Sequence, residues 1–430
     1  MKKYLEQNVF EASQERLKFI FDSFERVYLS FSGGKDSGVM LNLTLDYMRA
    51  NKIDKKLGVL VVDLEGQYKA TIDYILKTID NNLDLIEPYY VCLPLNLRNA
   101  VSVFKPFWTC WDGEQKDKWI REIPVRDYVI ANLDYFNFFK EKMEFEEFTP
   151  NFGNWYSQGK LTSCLVGIRS DESLNRYRTI ASKQKIMFKK QIWTTKINCN
   201  LFNCYPIYDW TTEDIWIGNC KFNWEYNKVY DLFWKAGLSI SKQRICQPYG
   251  DDQRIGLNLF KIIEPKTWAK VVNRVSGANF GNIYCGEKIM GYGKIKLPKG
   301  HTWKSYTKLL LSTLPLELAN HYKKRFIKFI KYWNKKGCPL RNNLQDKLPN
   351  GAKILEKLST RGKKDKKLLV YTKINDYLDA KIESAKLAPT WRRMAICILK
   401  NDHLCKTISF TQTKQQQERM KELLTKYKNL

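Results

Sequence analysis

A six-residue segment, SGGKDS, separates an apolar run at 27–31 from a helical pattern that resumes at Val39. Glycines let the backbone bend with its N–H groups facing one ligand, and they leave no side chain in the ligand's way. The helix that follows adds unpaired N–H groups and the positive end of its dipole. The segment therefore predicts an anion-binding loop. Its members are Ser32, Gly33, Gly34, Lys35, Asp36 and Ser37.

The first half of the chain alternates strand-like and helix-like patterns. Such alternation favours a parallel sheet covered by helices on both faces. Ligands of these sheets lie beyond the carboxyl ends of strands, where the loop 32–37 and Asp63 both fall. Strands are predicted at 27–31, 57–62, 89–93 and 163–168, and helices near 10–24, 38–50, 67–81 and 118–143.

The basic residues are concentrated in the last third of the chain. The net charge is +28 over 430 residues. Residues 1–290 contain 40 Lys and Arg against 35 Asp and Glu, a net charge of +5, whereas residues 291–430 contain 33 against 10, a net charge of +23. A near-neutral domain with a basic appendage often binds a polyanion such as nucleic acid. The alternative is a solvated, lysine-rich surface.

A lysine-rich helix is predicted within this basic region, in the stretch HYKKRFIKFIKYWNKK. Its apolar residues share one face at helical spacing, and this face should pack on a core. Lys323, Lys324 and Lys328 lie elsewhere on the helix and are predicted to neutralise phosphates of DNA or RNA. A solvated helix face is the alternative. The apolar face comprises Tyr322, Phe326, Phe329, Ile330 and Trp333.

The cysteines and histidines show no metal-binding spacing. The eleven cysteines are scattered without a CxxC pair, which favours free thiols in a reducing cytoplasm and gives no reason to expect zinc. A [4Fe–4S] cluster needs closely spaced cysteines, and none is expected because Cys246 stands alone. His301, His321 and His403 are far apart in the sequence and receive no role. Without a signal peptide or a run of roughly 20 apolar residues, we expect a cytoplasmic protein with no membrane partner.

Three motifs resemble, in family order, those of one enzyme superfamily. SGGKDS after a strand is similar to the pyrophosphate-loop (PP-loop) motif of ATP pyrophosphatases, which split ATP between its α- and β-phosphates. LVGIRSDESLNRYR, at 165–178, resembles a signature of phosphoadenosine phosphosulfate (PAPS) reductase-like proteins and sulfate adenylyltransferase small subunits. YPIYDWTTEDIW, which starts at Tyr205, resembles another segment of the same families.

The C-terminal part resembles one branch of that family, the immunoglobulin-binding-regulator A type. The stretches that carry this resemblance include LPKGHTWKSYT and TWRRMAICILKNDHLCK. Genes for such proteins often lie beside one for a ParB-like protein, so the resemblance implies a ParB-like partner.

The cysteines of this sequence depart from the pattern that PAPS reductases need for their chemistry. PAPS reductases attack sulfur with a thiolate in a C-terminal Glu-Cys-Gly segment, and here no cysteine follows Cys405. Cys285 in YCGEK has no Glu before it and lies far from the end of the sequence. We therefore expect the family name to describe ancestry, and sulfonucleotide reduction is the least favoured activity.

The resemblance implies that the loop 32–37 binds the β,γ-pyrophosphate of ATP. Lys35 adds positive charge, and Asp36 either braces the loop or helps to bind Mg²⁺. Asp63 is suited to a ribose hydroxyl, Mg²⁺ or the substrate, with a helix N-cap as the alternative. Arg169 is suited to bidentate contact with phosphate or sulfate, and Arg176 to a second contact. Glu172 is suited to orient Arg169. A surface salt-bridge cluster is the alternative for all three residues.

Two other segments have open interpretations. Thr211 and Asp214 have the spacing of a capping box, so DWTTEDIW is predicted to be structural. The aromatic stretch FWTCWDGEQKDKW, at 107–119, is either a lid over substrate or a packed surface loop.

These observations predict an α/β protein with two domains. Residues 1–250 should form a parallel-sheet domain of the adenine nucleotide α-hydrolase (PP-loop) type, and residues 251–430 a helical, basic domain. The expected function is that of an ATP pyrophosphatase that binds ATP and Mg²⁺ and adenylates an acceptor, acting on or with nucleic acid. Its predicted catalytic residues are Lys35, Asp36 and Arg169. The alternative is a nucleotide-binding regulatory or DNA-associated protein without turnover.

Overall fold

The computed structural model describes most of the chain and divides it into two compact units. One unit comprises the described residues of Met1–Asn99 and Phe107–Ala278, and the other those of Ala100–Pro106 and Asn279–Leu430. The predicted domain boundary at 250/251 stays a prediction; in the structure the first compact unit continues to Ala278. The described residues are 5–102, 105–182, 185–240, 243–250, 257–278, 295–339, 351–357, 366–378, 383 and 388–408.

A seven-stranded sheet with flanking helices forms the first unit. Its strands are β1 (Arg26–Ser30), β2 (Leu57–Val62), β3 (Ile86–Val91), β6 (Val129–Ile130), β7 (Thr162–Val166), β8 (Thr194–Lys196) and β9 (Leu201–Cys204), and a separate ribbon joins β4 (Asn96–Arg98) to β5 (Phe107–Thr109). The helices are α1 (Val9–Ser23), α2 (Lys35–Ala50), α3 (Lys69–Asp80), α4 (Phe145–Ser157), α5 (Leu174–Ala181), α6 (Thr212–Lys221), α7 (Val229–Lys235), α8 (Leu257–Ile263) and α9 (Pro265–Arg274).

The sheet has the strand order β6-β3-β2-β1-β7-β9-β8, and all pairs are parallel except β8 with β9. The central strand β1 pairs through Leu29 with Val59 on one side and Leu165 on the other. These three residues are buried, as expected for strands covered on both faces. The predicted α/β fold with a mostly parallel sheet is therefore confirmed, and the ends of β1 and β7 lie side by side.

The prediction of a helix near 118–143 is wrong. This stretch contains the end of a 3₁₀ helix, the short strand β6 and several turns. Pro124 cannot donate a helical hydrogen bond, and the Asn132 side chain accepts from the N–H of Asp134, which closes a turn. Within this stretch, Phe136 packs against Phe148 and Phe152 of α4.

The second unit contains helices and a small sheet. Its helices are α10 (Trp303–Thr313), α11 (Leu316–Lys335) and α12 (Trp391–Leu399), and its strands are β10 (Cys338–Pro339), β11 (Ala352–Lys357) and β12 (Lys366–Tyr371). The predicted helical C-terminal region is present, but its three-stranded antiparallel sheet was not predicted. Short apolar runs such as LLVY, flanked by lysines, do not distinguish a strand from part of a helix by their periodicity.

The predicted apolar face of α11 forms part of the core of this unit. Tyr322, Phe326, Phe329 and Trp333 are buried, and Ile330 packs against the same cluster. Leu369 and Tyr371 of β12 complete the contact from the other side of the core. The helix therefore owes its stability mainly to this packed face.

We expect Phe326→Ala to destabilise the second unit by about 3–5 kcal/mol, because it removes a buried aromatic side chain and leaves a cavity. Ile327→Ala, one position along the same helix, is the matched control, since Ile327 is 52% exposed. Urea denaturation followed by tryptophan fluorescence measures both changes. Equal stability of the two variants would contradict the assigned helix face.

Candidate functional site

The loop 32–37 joins β1 to α2 at the carboxyl edge of the sheet, as predicted. Gly33 has φ of +69°, a left-handed conformation that favours glycine. A Cβ atom at Gly33 would also lie 2.7 Å from Cγ1 of Ile75 on α3. This glycine is therefore required both by the turn and by the close approach of α3.

Two residues just before and within α7 fasten the loop from the side. The buried Asn227 amide donates to the carbonyl oxygen of Gly33 (2.9 Å) and to the Thr71 hydroxyl (3.0 Å). The Tyr230 hydroxyl accepts from the backbone N–H of Lys35 at 2.9 Å, and burial raises the pKa of this phenol. The phenol thus stays neutral beside the loop at ordinary pH.

Asp36 connects the two predicted catalytic cations. One carboxylate oxygen accepts from Lys35 Nζ at 3.0 Å, and the other accepts from Arg169 Nε at 2.6 Å. The side chains of Lys35 and Arg169 are only 8% and 2% exposed. The structure therefore brings Lys35, Asp36 and Arg169 together, with Asp36 as a brace between two positive charges.

Arg169 follows β7 and lies directly behind the loop. Its terminal nitrogens donate to the Trp210 carbonyl oxygen and to the Thr212 hydroxyl, both at the start of α6. The predicted capping box between Thr211 and Asp214 is confirmed, and it fixes this end of α6. Arg169 is thus a buried part of the site, not a member of a surface cluster.

Gly167 in the VGIR stretch supports the loop through its lack of a side chain. A Cβ atom there would lie 2.9 Å from the backbone oxygen of Asp36 and 3.0 Å from the Cα of Ser37. The backbones of β7 and the loop can therefore approach each other only because this residue is glycine.

Arg176 lies apart from this network. It is on α5, and its guanidinium forms a 3.5 Å ion pair with Glu172. Its side chain is 48% exposed. Glu172 does not pair with Arg169 here, because Asp36 takes that position, and the nucleotide contact proposed for Arg176 stays a prediction.

A cavity of about 480 Å³ opens beside the end of the loop. Lys35, Arg169 and Arg244 bring positive charge to it, while three carboxylates face them. Trp234 adds an aromatic surface. The carboxylates are Asp171, Glu172 and Glu213. This balance of charge suits a ligand that has both anionic and hydrogen-bond-donating groups.

A second cavity, of about 360 Å³, begins at the other end of the loop. It is lined by Ser32 and by Asp63 at the end of β2, and Gln67 and Gln247 add further polar groups. Apolar side chains form much of the remaining wall, which suits a flat aromatic ring. They include Phe31, Val61, Ile72, Ile75 and Ile245.

Asp63 is buried in a dense hydrogen-bond network. Its carboxylate accepts from the Tyr90 hydroxyl (2.6 Å), the Glu65 N–H (3.0 Å) and the Arg121 guanidinium. Burial alone would lower the pKa of Arg121, but the Asp63 carboxylate holds it above its ordinary value. Asp63 does not cap the following helix, whose N-cap residue is Tyr68. The alternative that treated it as an N-cap is therefore wrong.

The aromatic stretch 107–119 packs over Asp63 and does not project as a lid. Trp111 donates from Nε1 to the Asp63 carbonyl oxygen at 2.7 Å and from its backbone N–H to Glu65 at 2.8 Å. Glu65 is fully buried and forms a two-bond ion pair with Arg274 of α9, at 2.6 and 3.0 Å. The chain beyond residue 250 is thereby tied to the edge of the sheet.

In the second unit, the lysines that have a predicted role and two histidines that have none lie in different places. Lys323, Lys324 and Lys328 are exposed on α11, opposite its buried face. His321 and His403, far apart in the sequence, stack with ring centroids 4.0 Å apart. No local sequence pattern marks this pair of histidines, because their contact depends on tertiary packing.

The described part of the chain offers no cluster of side chains for a metal ion. It contains no group of three or more His, Cys, Asp or Glu side chains that could bind a metal ion. Both carboxylate oxygens of Asp36 already accept from cations, and those of Asp63 are equally engaged. These residues do not fit a dedicated magnesium site, and the predicted Mg²⁺ is assigned to no side chain. No described helix is long and apolar enough to span a membrane.

Two family matches divide the chain. Residues 26–236 match the family described as "Phosphoadenosine phosphosulfate reductase domain", and residues 237–419 match "Domain of unknown function (DUF3440)". The chain belongs to the PAPS reductase domain family, in a form with a DUF3440 region, and has a nucleotide-binding PP-loop fold. Membership of the immunoglobulin-binding-regulator A branch stays a prediction.

A relative from Escherichia coli (strain K12), "Uncharacterized protein YbdN", is 36% identical over 412 residues, which cover 95% of this chain and 91% of that protein. "Uncharacterized protein MJ0066" from Methanocaldococcus jannaschii is 27% identical over 217 residues, or 50% of this chain and 36% of that protein. The FMN adenylyltransferase of Candida glabrata, solved with FMN and AMPCPP, is 15% identical with a TM-score of 0.32, over 54% of this chain and 64% of that chain. A score this low does not define a shared structure, so the family assignment rests on the sequence matches.

Sequence reasoning missed several residues around the site. Asn227 and Tyr230 touch the loop from almost two hundred residues away, and no local pattern marks them. Residues 239, 240, 243 and 244 line the first cavity and residues 245–247 and 250 line the second, although none of them belongs to a nucleotide-binding motif. The position of these residues beside the loop and the cavities is visible only in the tertiary structure.

We expect Gly167→Ala to displace the loop and to weaken nucleotide binding, because the added methyl group meets backbone atoms that cannot rotate away. Overpacking of this kind costs about 1–3 kcal/mol. Gly113→Ala is the control, since a Cβ atom there meets nothing within 4 Å. Thermal unfolding and titration calorimetry with ATP measure both variants. Unchanged ATP affinity in Gly167→Ala would show that the loop does not need this contact.

Proposed function

We propose that the first unit binds ATP and transfers its adenylyl group to an acceptor, with release of pyrophosphate. An acceptor oxygen attacks the α-phosphorus, and the bond from this phosphorus to the α,β-bridging oxygen breaks. The acceptor gains AMP, and the bridging oxygen leaves on pyrophosphate. Family membership supports the nucleotide, and the geometry of the site supports the transfer.

One observation carries this proposal: the two cavities begin at opposite ends of the same loop, one at Ser32 and the other at Lys35. A triphosphate on the loop would place its adenosine in the second cavity, against apolar walls and the polar groups of Gln67 and Gln247. The first cavity would then admit the acceptor. The reacting phosphorus would lie between them.

Lys35 and Arg169 supply the charge that the reaction needs. Negative charge grows on the leaving pyrophosphate as the bond breaks, and fixed cations in a partly buried site stabilise it. Asp36 keeps both cations in place before the nucleotide binds. Mg²⁺ would neutralise phosphate charge when it accompanies ATP.

The second candidate function is that of a regulatory protein that binds a nucleotide but does not turn it over. It would use the same loop and the second cavity but would release no pyrophosphate. Sulfonucleotide reduction is a weaker candidate. Cys246 lines the second cavity, but it lies in the sequence RICQP and not in the Glu-Cys-Gly context of the thiol that attacks sulfur in the reductases.

We expect the protein to release pyrophosphate from ATP, measured first with ATP alone and then with DNA, tRNA and sulfate added in turn. Lys35→Ala should lower the rate by about 100-fold, because it removes a charge that stabilises the leaving group. Lys55→Ala, at an exposed lysine in the same unit, is the control. ATP binding without pyrophosphate release under all conditions would favour the regulatory alternative. Equal ATP affinity and rate in Lys35→Ala and the wild type would exclude the loop as the phosphate site.

A second proposal concerns nucleic acid. The exposed lysines of α11 lie on a helix that is anchored by its opposite, apolar face, so they can meet phosphates without loss of packing. The net charge of +23 over 291–430 supports a polyanionic partner. The ParB-like partner that the resemblance implies stays a prediction.

We expect the logarithm of the association constant for duplex DNA to fall linearly with the logarithm of the salt concentration. The slope should be roughly 0.9 per phosphate neutralised. Replacing Lys323, Lys324 and Lys328 by alanine should reduce the steepness of this fall by about one unit or more, whatever the DNA sequence. The matched control replaces three exposed lysines of the first unit, Lys55, Lys56 and Lys140. Filter binding at several salt concentrations measures the slopes. Absence of DNA and RNA binding at low salt would leave these lysines as a solvated face.

A further inference from the structure

Two thiols meet in the core of the second unit. Cys397 lies on α12, and Cys405 lies in the turn that follows this helix; both are 0% exposed. The Cys397 thiol donates to the Asp402 carbonyl oxygen at 3.5 Å and lies 3.8 Å from the Asp402 carboxylate. The backbone N–H of Cys405 donates to the same carbonyl oxygen at 2.9 Å, so one peptide group holds both cysteines in a single turn. The nucleotide chemistry of the first unit uses neither cysteine.

His321 of α11 faces this pair. Its Nε2 donates to the carbonyl oxygen of His403 at 2.7 Å, and its ring is stacked on the His403 ring. A carbonyl oxygen can only accept, so Nε2 carries the proton. The Cys405 thiol donates to the same His403 carbonyl oxygen at 3.8 Å, which places this thiol beside the imidazole. A thiol, an imidazole and a group that orients the imidazole are the parts of an activated sulfur nucleophile.

The two sulfurs differ in their electrostatic surroundings. Contact with the Cys397 thiol lowers the pKa of the Cys405 thiol; burial opposes this, and His321 lowers the pKa further. The same contact, together with burial, raises the pKa of Cys397. Cys405 is therefore the more acidic of the two thiols.

The backbone of the turn is unusual in the same place. Asn401 and Cys405 have φ of +49° and +58°. Asparagine tolerates this region, but a cysteine in it costs free energy and persists only where the surroundings enforce it. The turn is fastened by the Asp402 carboxylate, which accepts from the N–H of Thr407 at 2.5 Å, and by the Cys405 N–H, which donates to the Asp402 carbonyl oxygen at 2.9 Å. Strain of this kind is typical of a reactive position.

We propose that Cys397 and Cys405 are a modification site that forms a reversible disulfide with hydrogen peroxide as the oxidant. The Cys405 thiolate attacks one peroxide oxygen, the O–O bond breaks, and hydroxide leaves and takes a proton to become water. The resulting sulfenic acid is attacked by the Cys397 sulfur, whose proton goes with the departing hydroxide as a second water. An S–S bond replaces the S–O bond. Overall the two thiols lose two electrons and peroxide is reduced to two waters.

The sequence offers a direct test on the full chain, because Lys400 separates the two cysteines. Trypsin places Cys397 in the peptide 394–400 (MAICILK) and Cys405 in the peptide 401–406 (NDHLCK). The reduced protein is treated with hydrogen peroxide, quenched, alkylated with iodoacetamide and digested without reductant. We expect mass spectrometry to find these two peptides joined, and dithiothreitol to separate them. Recovery of both as alkylated single peptides, at a peroxide concentration that already oxidises the exposed Cys199 and Cys220, would overturn the proposal.

Variants assign the roles within the pair. In Cys397→Ser, Cys405 should remain as a sulfenic acid that dimedone traps, whereas Cys405→Ser should give neither a linked pair nor a dimedone adduct on Cys397. Cys204→Ser, at a buried cysteine of the first unit, should leave the linked pair intact. His321→Gln should slow its formation by at least about tenfold, because a positioned base is lost. If a cysteine variant fails to fold, the digest of the wild-type protein still shows whether the disulfide forms. A dimedone adduct on Cys397 in place of Cys405 would contradict the assignment of the attacking sulfur.

Discussion

The first unit depends on one carboxylate that links two cations. Asp36 lies at the start of α2, and its oxygens bind Lys35 from its own helix and Arg169 from the end of β7. Buried charges are costly unless they are paired and fully hydrogen-bonded, and losing one member of such a group costs about 3–5 kcal/mol. The same contact that joins the ends of two neighbouring strands thus keeps two cations beside the loop 32–37. Stability and charge placement have a common origin here.

The sequence was most informative where the signal was local. Buried parallel strands appear as continuous apolar runs, so β1, β2, β3 and β7 were predictable, and the glycines after β1 indicated a loop at the carboxyl edge. The motifs and the resemblance they carry also grouped Lys35, Asp36 and Arg169 as predicted catalytic residues. Their arrangement could not be predicted, because the pairing of Asp36 with both cations depends on the order of strands in the sheet. The sequence suggested Glu172 as a partner for Arg169, but the fold places Asp36 there.

Features that depend on distant contacts were not predictable. The helical spacing over 118–143 was outweighed by a proline, an asparagine turn and aromatic packing on α4. Asn227 and Tyr230 carry no local mark of their contacts with the loop, and the ion pair between Glu65 and Arg274 joins residues more than two hundred positions apart. His321 and His403 seemed unrelated in the sequence and stack in the fold. In each case burial and hydrogen bonding between remote segments decide the structure.

Eight lining residues of the two cavities lie after position 236, beyond the part of the chain that matches the PAPS reductase domain. Most of the lining of both cavities, and the whole of the loop 32–37, comes from residues before that point. Substitutions after residue 236 can therefore reshape one part of each cavity while the loop keeps its sequence. A chimera joined at residue 236 would consequently keep the loop and most of both cavities from its N-terminal parent, and it would exchange only the later lining residues.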